Sequence, residues 1–258
     1  MYNMLFGEIA YGPIHSRRLG TSLGIELMPL DHKLCTFNCV YCECGWNTPV
    51  SHPKLPTREE VKAALEAKLS TFDFRLSTID VITFSGNGEP TLHPDFLGII
   101  EDTCALRDQY CPNAKVSVLS NSTQLGRPDV VKALRLCDNR ILKLDAGTDT
   151  MMRRIDLPVN NNLTVEQIIA WLQPFEGDFT LQTCFLRGEH AGQVIDNTTP
   201  EELEAWYQAV DSLHPKQIMI YVIDRKTPEE NLQKISREEM ESIAAPLIAK
   251  GYDVSISA

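Results

Sequence analysis

Strand-like and helix-like segments alternate along this chain, and that order leaves few architectures open. Strand-like runs lie at 23–28 (LGIELM), 79–84, 115–120, 140–145, 178–186 and 217–223, with a last short one at 252–257. A helix starts at Thr57, where the pair Thr57 and Glu60 reads as a capping box. Further helical runs fall near 94–109, 128–136, 164–173, 200–212 and 236–250. Six such βα units with short connections predict an α/β fold, a parallel sheet with its helices outside. At this length the sheet is either open and doubly wound or a full or partial barrel. Both place the functional loops at the carboxyl ends of the strands.

The 258 residues suit one domain, with a core over about 11–228 and a closing helix and short strand over about 229–258. No apolar run approaches the length that spans a bilayer, and the first twenty residues lack the features of a secretory signal, so the cytoplasm is the expected location. In that compartment the eight cysteines are expected as thiols or metal ligands. The formal net charge of −11 disfavours generic nucleic-acid binding, although Arg17, Arg18 and Lys33 lie close in sequence to the cysteine loop at 35–42.

Directly after the first strand-like run comes LCTFNCVYC, with Cys35, Cys39 and Cys42 spaced C-x3-C-x2-C. Three thiolates on one short loop can hold three corners of a cubane iron–sulfur cluster and leave the fourth iron without a protein ligand. An iron left open in this way can bind a small molecule. Cys44 would complete a set of four thiolates, so a structural zinc site is the rival class.

The later strand ends carry polar residues as well. FSGNGEP, residues 84–90, puts Gly86, Asn87 and Gly88 in a turn followed by Glu89. LSNST brings Asn121 to the third strand end. In RILKLDAG the two-residue period places Ile141, Lys143 and Asp145 on one face, and in DFTLQTCFL it does the same for Thr180, Gln182 and Cys184. A lysine and an aspartate on one face of a buried strand must pair or bind something. Together these faces predict a polar-lined cavity.

Taken together these residues resemble the radical S-adenosylmethionine (radical SAM) superfamily. Its signature is C-x3-C-x-aromatic-C after the first strand of a partial (β/α)6 barrel, with Tyr41 as the aromatic here. GPIHSRRLGTSLGIEL, CTFNCVYCE, FSGNGEPTLHPDF and LKLDAG are similar to a subfamily grouped with the wyosine-base (four-demethylwyosine) tRNA synthases. The resemblance covers about residues 11–228. It implies a [4Fe–4S] cluster on Cys35, Cys39 and Cys42, and reductive cleavage of SAM to a 5′-deoxyadenosyl radical that takes hydrogen from a substrate. It also implies that Tyr41 meets the adenine and that Gly86, Asn87, Gly88 and Glu89 hold the methionine end. Asn121, Lys143, Asp145 and Gln182 are then candidates for the ribose and the carboxylate of SAM, and Arg17 and Arg18 for an anion. A low-potential donor of the flavodoxin or ferredoxin type is implied as partner.

The alternatives are a tRNA-modifying wyosine-type synthase, an activase of a glycyl-radical enzyme, an iron–sulfur electron carrier and a structural zinc module. No cysteine precedes Cys35, whereas the archaeal wyosine synthases carry extra cysteines there. Cys184 reads as packing or as a hydrogen donor to substrate, since a thiol S–H bond is weak. Cys104, Cys111, Cys137, Trp171 and Trp206 read as core filling, and His93 as a loop residue.

Overall fold

The structure is a computed structural model that describes residues 4–16, 19–74 and 77–258. Its main sheet has eight strands in the order β1-β2-β3-β4-β5-β6-β9-β11. Strands β2 (Gly20–Ile25), β3 (Val81–Phe84), β4 (Lys115–Ser120), β5 (Asn139–Lys143), β6 (Thr180–Cys184), β9 (Gln217–Tyr221) and β11 (Val254–Ser257) run parallel. They correspond to the seven strand-like runs. The sheet curls into a half-barrel with helices outside, the expected partial (β/α) barrel.

Helices α1 (Arg58–Thr71), α2 (Phe96–Tyr110), α3 (Pro128–Leu136), α5 (Val165–Leu172), α6 (Pro200–Leu213) and α7 (Arg237–Ala249) lie where the apolar period placed them. The Thr57–Glu60 capping box at α1 forms reciprocally, each side chain meeting the other's backbone N–H. Trp206 of α6 shows how the helices dock. It is 1% exposed, and its indole N–H donates 3.1 Å to Thr183 Oγ1 on the outer face of β6. Thr183 passes its own proton to Leu144 O at 2.7 Å, so the tryptophan is tied to two neighbouring strand ends.

Three parts of the fold depart from the sequence expectation. Strand β1 (Ala10–Ser16) pairs antiparallel with β2 at the sheet edge, and its register shifts between Tyr11 and Ile14. The Gly12-Pro13 step that causes this bulge also hides the strand, since proline cannot donate to a ladder. The run at 178–186 is not one strand. It breaks at Phe185, and β7 (Leu186–His190) starts a small antiparallel sheet with β8 (Gln193–Asp196) and β10 (Leu232–Lys234), in the order β10-β7-β8. An additional helix, α4 (Asp149–Ile155), follows β5, capped by Thr148. No helix among the described residues is long and apolar enough to cross a membrane.

Trp206→Ala should lower stability by about 3–5 kcal/mol, the usual cost of emptying a fully packed aromatic site. Val194→Ala, at a position 65% exposed, should stay within about 0.5 kcal/mol. Urea unfolding of both variants checks the contrast, and equal losses would contradict this packing.

Candidate functional site

The cysteine loop follows β2 and lies across the carboxyl ends of the sheet. The exit of strand β3 and the exit of helix α4 grip it through backbone hydrogen bonds. On one side Leu34 N–H donates to Asn87 O at 2.9 Å, and Leu34 O accepts from Glu89 N–H at 3.2 Å. On the other side Val40 N–H donates to Ile155 O (2.9 Å), Asn38 N–H to Asp156 O (2.8 Å), and Val159 N–H to Thr36 O (2.9 Å). Asn47 closes the loop on itself, its amide donating to Cys35 O and Phe37 O at 3.0 and 3.1 Å.

The first grip explains the glycines at 86 and 88. Gly86 has φ 144°, and a Cβ there would lie 2.0 Å from Glu26 Oε2. At Gly88 a Cβ would lie 1.7 Å from the Leu34 carbonyl oxygen. The side chains of this turn serve the protein itself. Asn87 accepts from Phe6 N–H at 2.8 Å and donates to Phe6 O and Pro29 O at 3.0 and 2.9 Å. Glu89 accepts from Ser120 Oγ (2.9 Å), from Asn121 N–H (2.7 Å), and from both the hydroxyl and the N–H of Thr91. The Asn87 and Glu89 side chains are thus engaged in holding the turn.

Glu26, which the sequence reading passed over as a strand residue, grips the other end of the turn. It is 1% exposed and accepts from Met28 N–H at 2.7 Å and from Asn87 N–H at 2.5 Å. Burial pushes its carboxyl up to about 7, against the pull of those backbone donors.

The three cysteines of the motif lie among cations and N–H donors. Lys33, 2% exposed, donates to Gly45 O at 2.9 Å. Burial pulls Lys33 down, but the sulfurs of Cys42, Cys39 and Cys35 outweigh it and hold the ammonium above its ordinary value. Cys35 Sγ receives Phe37 N–H at 3.5 Å and Asn121 Nδ2 at 3.4 Å. Cys44 lies beside Cys42, with its Sγ 3.1 Å from Gly86 O. Its thiol also hydrogen-bonds the Cys42 sulfur, which pulls the Cys42 thiol below its ordinary range with help from Lys33.

Lys143 of β5 is the second buried cation. Its Nζ lies 3.0 Å from Asp145 Oδ2, 2.6 Å from Asp156 Oδ1 and 3.0 Å from Cys39 Sγ. It also sits 5.0 Å from the ring centres of both Phe37 and Tyr41. Burial pulls it down, yet Asp145, Asp156 and Cys39 hold it well above an ordinary lysine. The pairing expected for Lys143 and Asp145 on one strand face is therefore present. Asp156 was not foreseen, because it follows α4 in a segment without a motif.

Asp145 connects this cation to the aromatic residues. Tyr41 donates to Asp145 Oδ2, Tyr221 of β9 lies 3.4 Å from the Tyr41 hydroxyl, and Cys184 N–H donates to Asp145 Oδ1 at 2.8 Å. Asn197, also unforeseen, ties Asp145 O and Cys184 O together with its amide at 2.8 and 2.7 Å. Cys184 is fully buried, and burial raises its thiol well above the ordinary value. Gln182 is buried too, with Nε2 3.9 Å from Met219 Sδ. Arg17 and Arg18 lie outside the described residues. His93 is a loop residue as expected, bonded to Pro56 O at 2.8 Å.

The donor chemistry fits an iron–sulfur cluster. Three sulfurs share one loop, two buried ammoniums offset their charge, and N–H groups point at Cys35. Residues 32–196, more than half of the chain, match the family described as the radical SAM superfamily. The chain belongs to the radical SAM superfamily. Among curated proteins it is 30% identical over 236 residues to the GTPase Obg of Brachyspira hyodysenteriae, covering 90% of this chain and 32% of that protein. It is 28% identical over 254 residues to a UPF0026 protein of Helicobacter pylori strain J99, covering 96% of this chain and 76% of that one. Among solved structures, a radical SAM methyltransferase from Sphaerobacter thermophilus shares the fold at TM-score 0.63 and 14% identity, over 91% of this chain and 65% of that one. TYW1 with a lysine–pyruvate adduct bound shares it at TM-score 0.61 and 16% identity, over 90% and 74%. The chain is an enzyme of this radical SAM class.

Two variants test the glycine turn. Gly88→Ala meets backbone rather than a movable side chain, so it should cost about 1–3 kcal/mol or more; a thermal melt like that of the native chain would contradict the Leu34 contact. Because the Glu26 carboxyl is raised in the fold, its support weakens as pH rises from the ordinary carboxylate range toward about 7. Relative to the native chain, Glu26→Gln should gain stability between about pH 5 and about pH 8. Denaturant unfolding at both values checks the sign.

Proposed function

We propose that Cys35, Cys39 and Cys42 hold a [4Fe–4S] cluster, and that the backbone of the Gly86–Glu89 turn receives the methionine end of SAM beside it. The observation that carries this is the pair of buried ammoniums, Lys33 and Lys143, set against the three thiols of one loop. Lys33 is held above its ordinary value by the three sulfurs, whereas Lys143 meets Asp145 and Asp156 as well as Cys39, so Lys33 is the ammonium that calls for anionic sulfur beside it. Bound there, the cluster and SAM supply one-electron cleavage of the sulfonium and hydrogen abstraction from a substrate.

The chain's own residues prepare the site. Tyr41, fixed by Asp145, presents its ring beside the loop as the adenine neighbour. Asn121 bonds Thr36 at 2.8 Å and Cys35, which keeps the loop in register with β4. Glu26 and Glu89 hold the turn from both ends, so its backbone meets a ligand already ordered. Gln182 lines the interior between β5 and β9, and Cys184 lies beneath Tyr221 as a buried thiol. The reductant is a low-potential donor of the flavodoxin or ferredoxin type, and the location is the cytoplasm. One domain carries the whole site.

The substrate is unidentified; a tRNA base is the alternative raised by the resemblance of GPIHSRRLG and LKLDAG to the wyosine-type synthases. The net charge of −11 makes RNA binding depend on local cations such as Arg17 and Arg18. Similarity to a protein called GTPase Obg brings no GTPase site, since the chain contains no G-x4-G-K-[S/T] phosphate loop.

Anaerobic reconstitution with iron and sulfide, then dithionite and SAM, tests the reading. About four irons per chain and 5′-deoxyadenosine above a Cys39→Ala control are expected. Cys44→Ala should keep its iron. Zinc in place of iron, or loss of iron from Cys44→Ala, would overturn the three-thiolate site. Binding to a tRNA transcript that falls steeply with salt would support the tRNA class, and its absence would reject it.

A further inference from the structure

The segment after α4, residues 155–159, forms the second wall of the cysteine loop, and its one charged side chain is Asp156. Asp156 is 2% exposed, and its Oδ1 lies 2.6 Å from Lys143 Nζ and 3.5 Å from Cys39 Sγ. An ammonium has three protons. Those of Lys143 have three near neighbours already, Asp145, Asp156 and Cys39, with two aromatic rings behind them. Its hydrogen-bonding capacity is therefore taken up inside the protein before any ligand carboxylate is considered.

Reduction adds one negative charge to a cluster held by Cys39. A buried positive charge at that sulfur favours the reduced form, and a buried negative charge opposes it. Neither is screened by water at this depth. We propose that Lys143 and Asp156 form an opposed charge pair that sets the reduction potential of the cluster through Cys39. The proposal rests on the cluster reading above and gives Lys143 a task other than binding SAM. Asp156 is the positioning member as well, since its carboxylate and its backbone oxygen join Lys143 to the loop at Asn38.

The test is a redox titration followed by electron paramagnetic resonance, at fixed pH and without SAM. Reconstituted native chain, Lys143→Met, Lys143→Arg and Asp156→Asn are compared, with iron content measured for each. Lys143→Met should shift the midpoint to lower potential and Asp156→Asn to higher potential, because asparagine keeps a carbonyl for Lys143 but loses the charge. Lys143→Arg should stay near the native value. General loosening of the loop would move both shifted variants the same way, so shifts of one sign, or no shifts, overturn the charge pair. If Lys143→Met loads no iron, Asp156→Asn decides alone: a rise supports the pair, and a fall or no change rejects it. A native chain that holds no cluster would overturn the cluster reading and this inference with it, whereas a loaded native chain with unmoved variants overturns only the charge pair.

Discussion

Everything at this site depends on how the cysteine loop is anchored. The loop is irregular, so its backbone groups satisfy one another only in part, as Cys42 N–H does Cys39 O, and a buried unpaired N–H or C=O is costly. The chain solves this by lending it the exits of one strand and one helix. The glycine turn after β3 bonds Leu34, and the exit of α4 bonds residues 36–40. Both partners are themselves loops, so the three segments order one another. Gly88 must lack a side chain for the first contact, and Leu157, with φ 43°, bends the second segment to make its own.

Once the loop is anchored, its charges are buried with it. At an effective dielectric near 20, opposite unit charges about 4 Å apart attract by about 4 kcal/mol, whereas an unpaired buried charge costs several kcal/mol. The site answers with alternation, with Lys33 and Lys143 against sulfur, and Asp145 and Asp156 against Lys143. Removing Lys143 would leave both Asp145 and Asp156 without their shared cation. Carboxylates that only accept from N–H and O–H groups, Glu26 and Glu89, sit behind the turn and carry no cation. Burial raises both. The two kinds of buried acid are thus separated by task, one set holding backbone and the other holding charge.

Much of this was readable from the chain because parallel strands are long apolar runs with a period of two. Lys143 and Asp145 stand out for that reason, being charged on a face where charge must pair. The cysteines and glycines stand out by spacing. Other features leave no such trace. Strand β1 is broken by Gly12 and Pro13, and β7, β8 and β10 are short and largely polar, so neither this edge of the main sheet nor the small sheet has a hydrophobic signal. Glu26 lies in LGIELM, which reads only as a strand, and its task appears once the turn above it is known. Asp156 has no periodic neighbour at all. The hydrogen bonds that the Asn87 and Glu89 side chains make to the protein leave no trace in the motif either, because spacing does not say which atoms face which partner.

The contact between Tyr41 and Tyr221 shows what the curl of the sheet accomplishes. These residues are 180 positions apart in sequence, and their hydroxyls lie 3.4 Å from each other. Tyr41 follows β2 and Tyr221 ends β9, five strand spacings away in the sheet order. In a flat sheet at about 4.8 Å per strand, those positions would stand about 24 Å apart. Curvature shortens that span, and the cysteine loop crosses what remains. A flat sheet with the same residues would leave Asp145 without the Tyr41 hydroxyl and would move Cys39 away from Lys143. The half-barrel is therefore what assembles the site. Helices outside it secure the curl, as Trp206 does at β6, but they contribute no atom to the contacts among Cys39, Lys143, Asp145 and Tyr41.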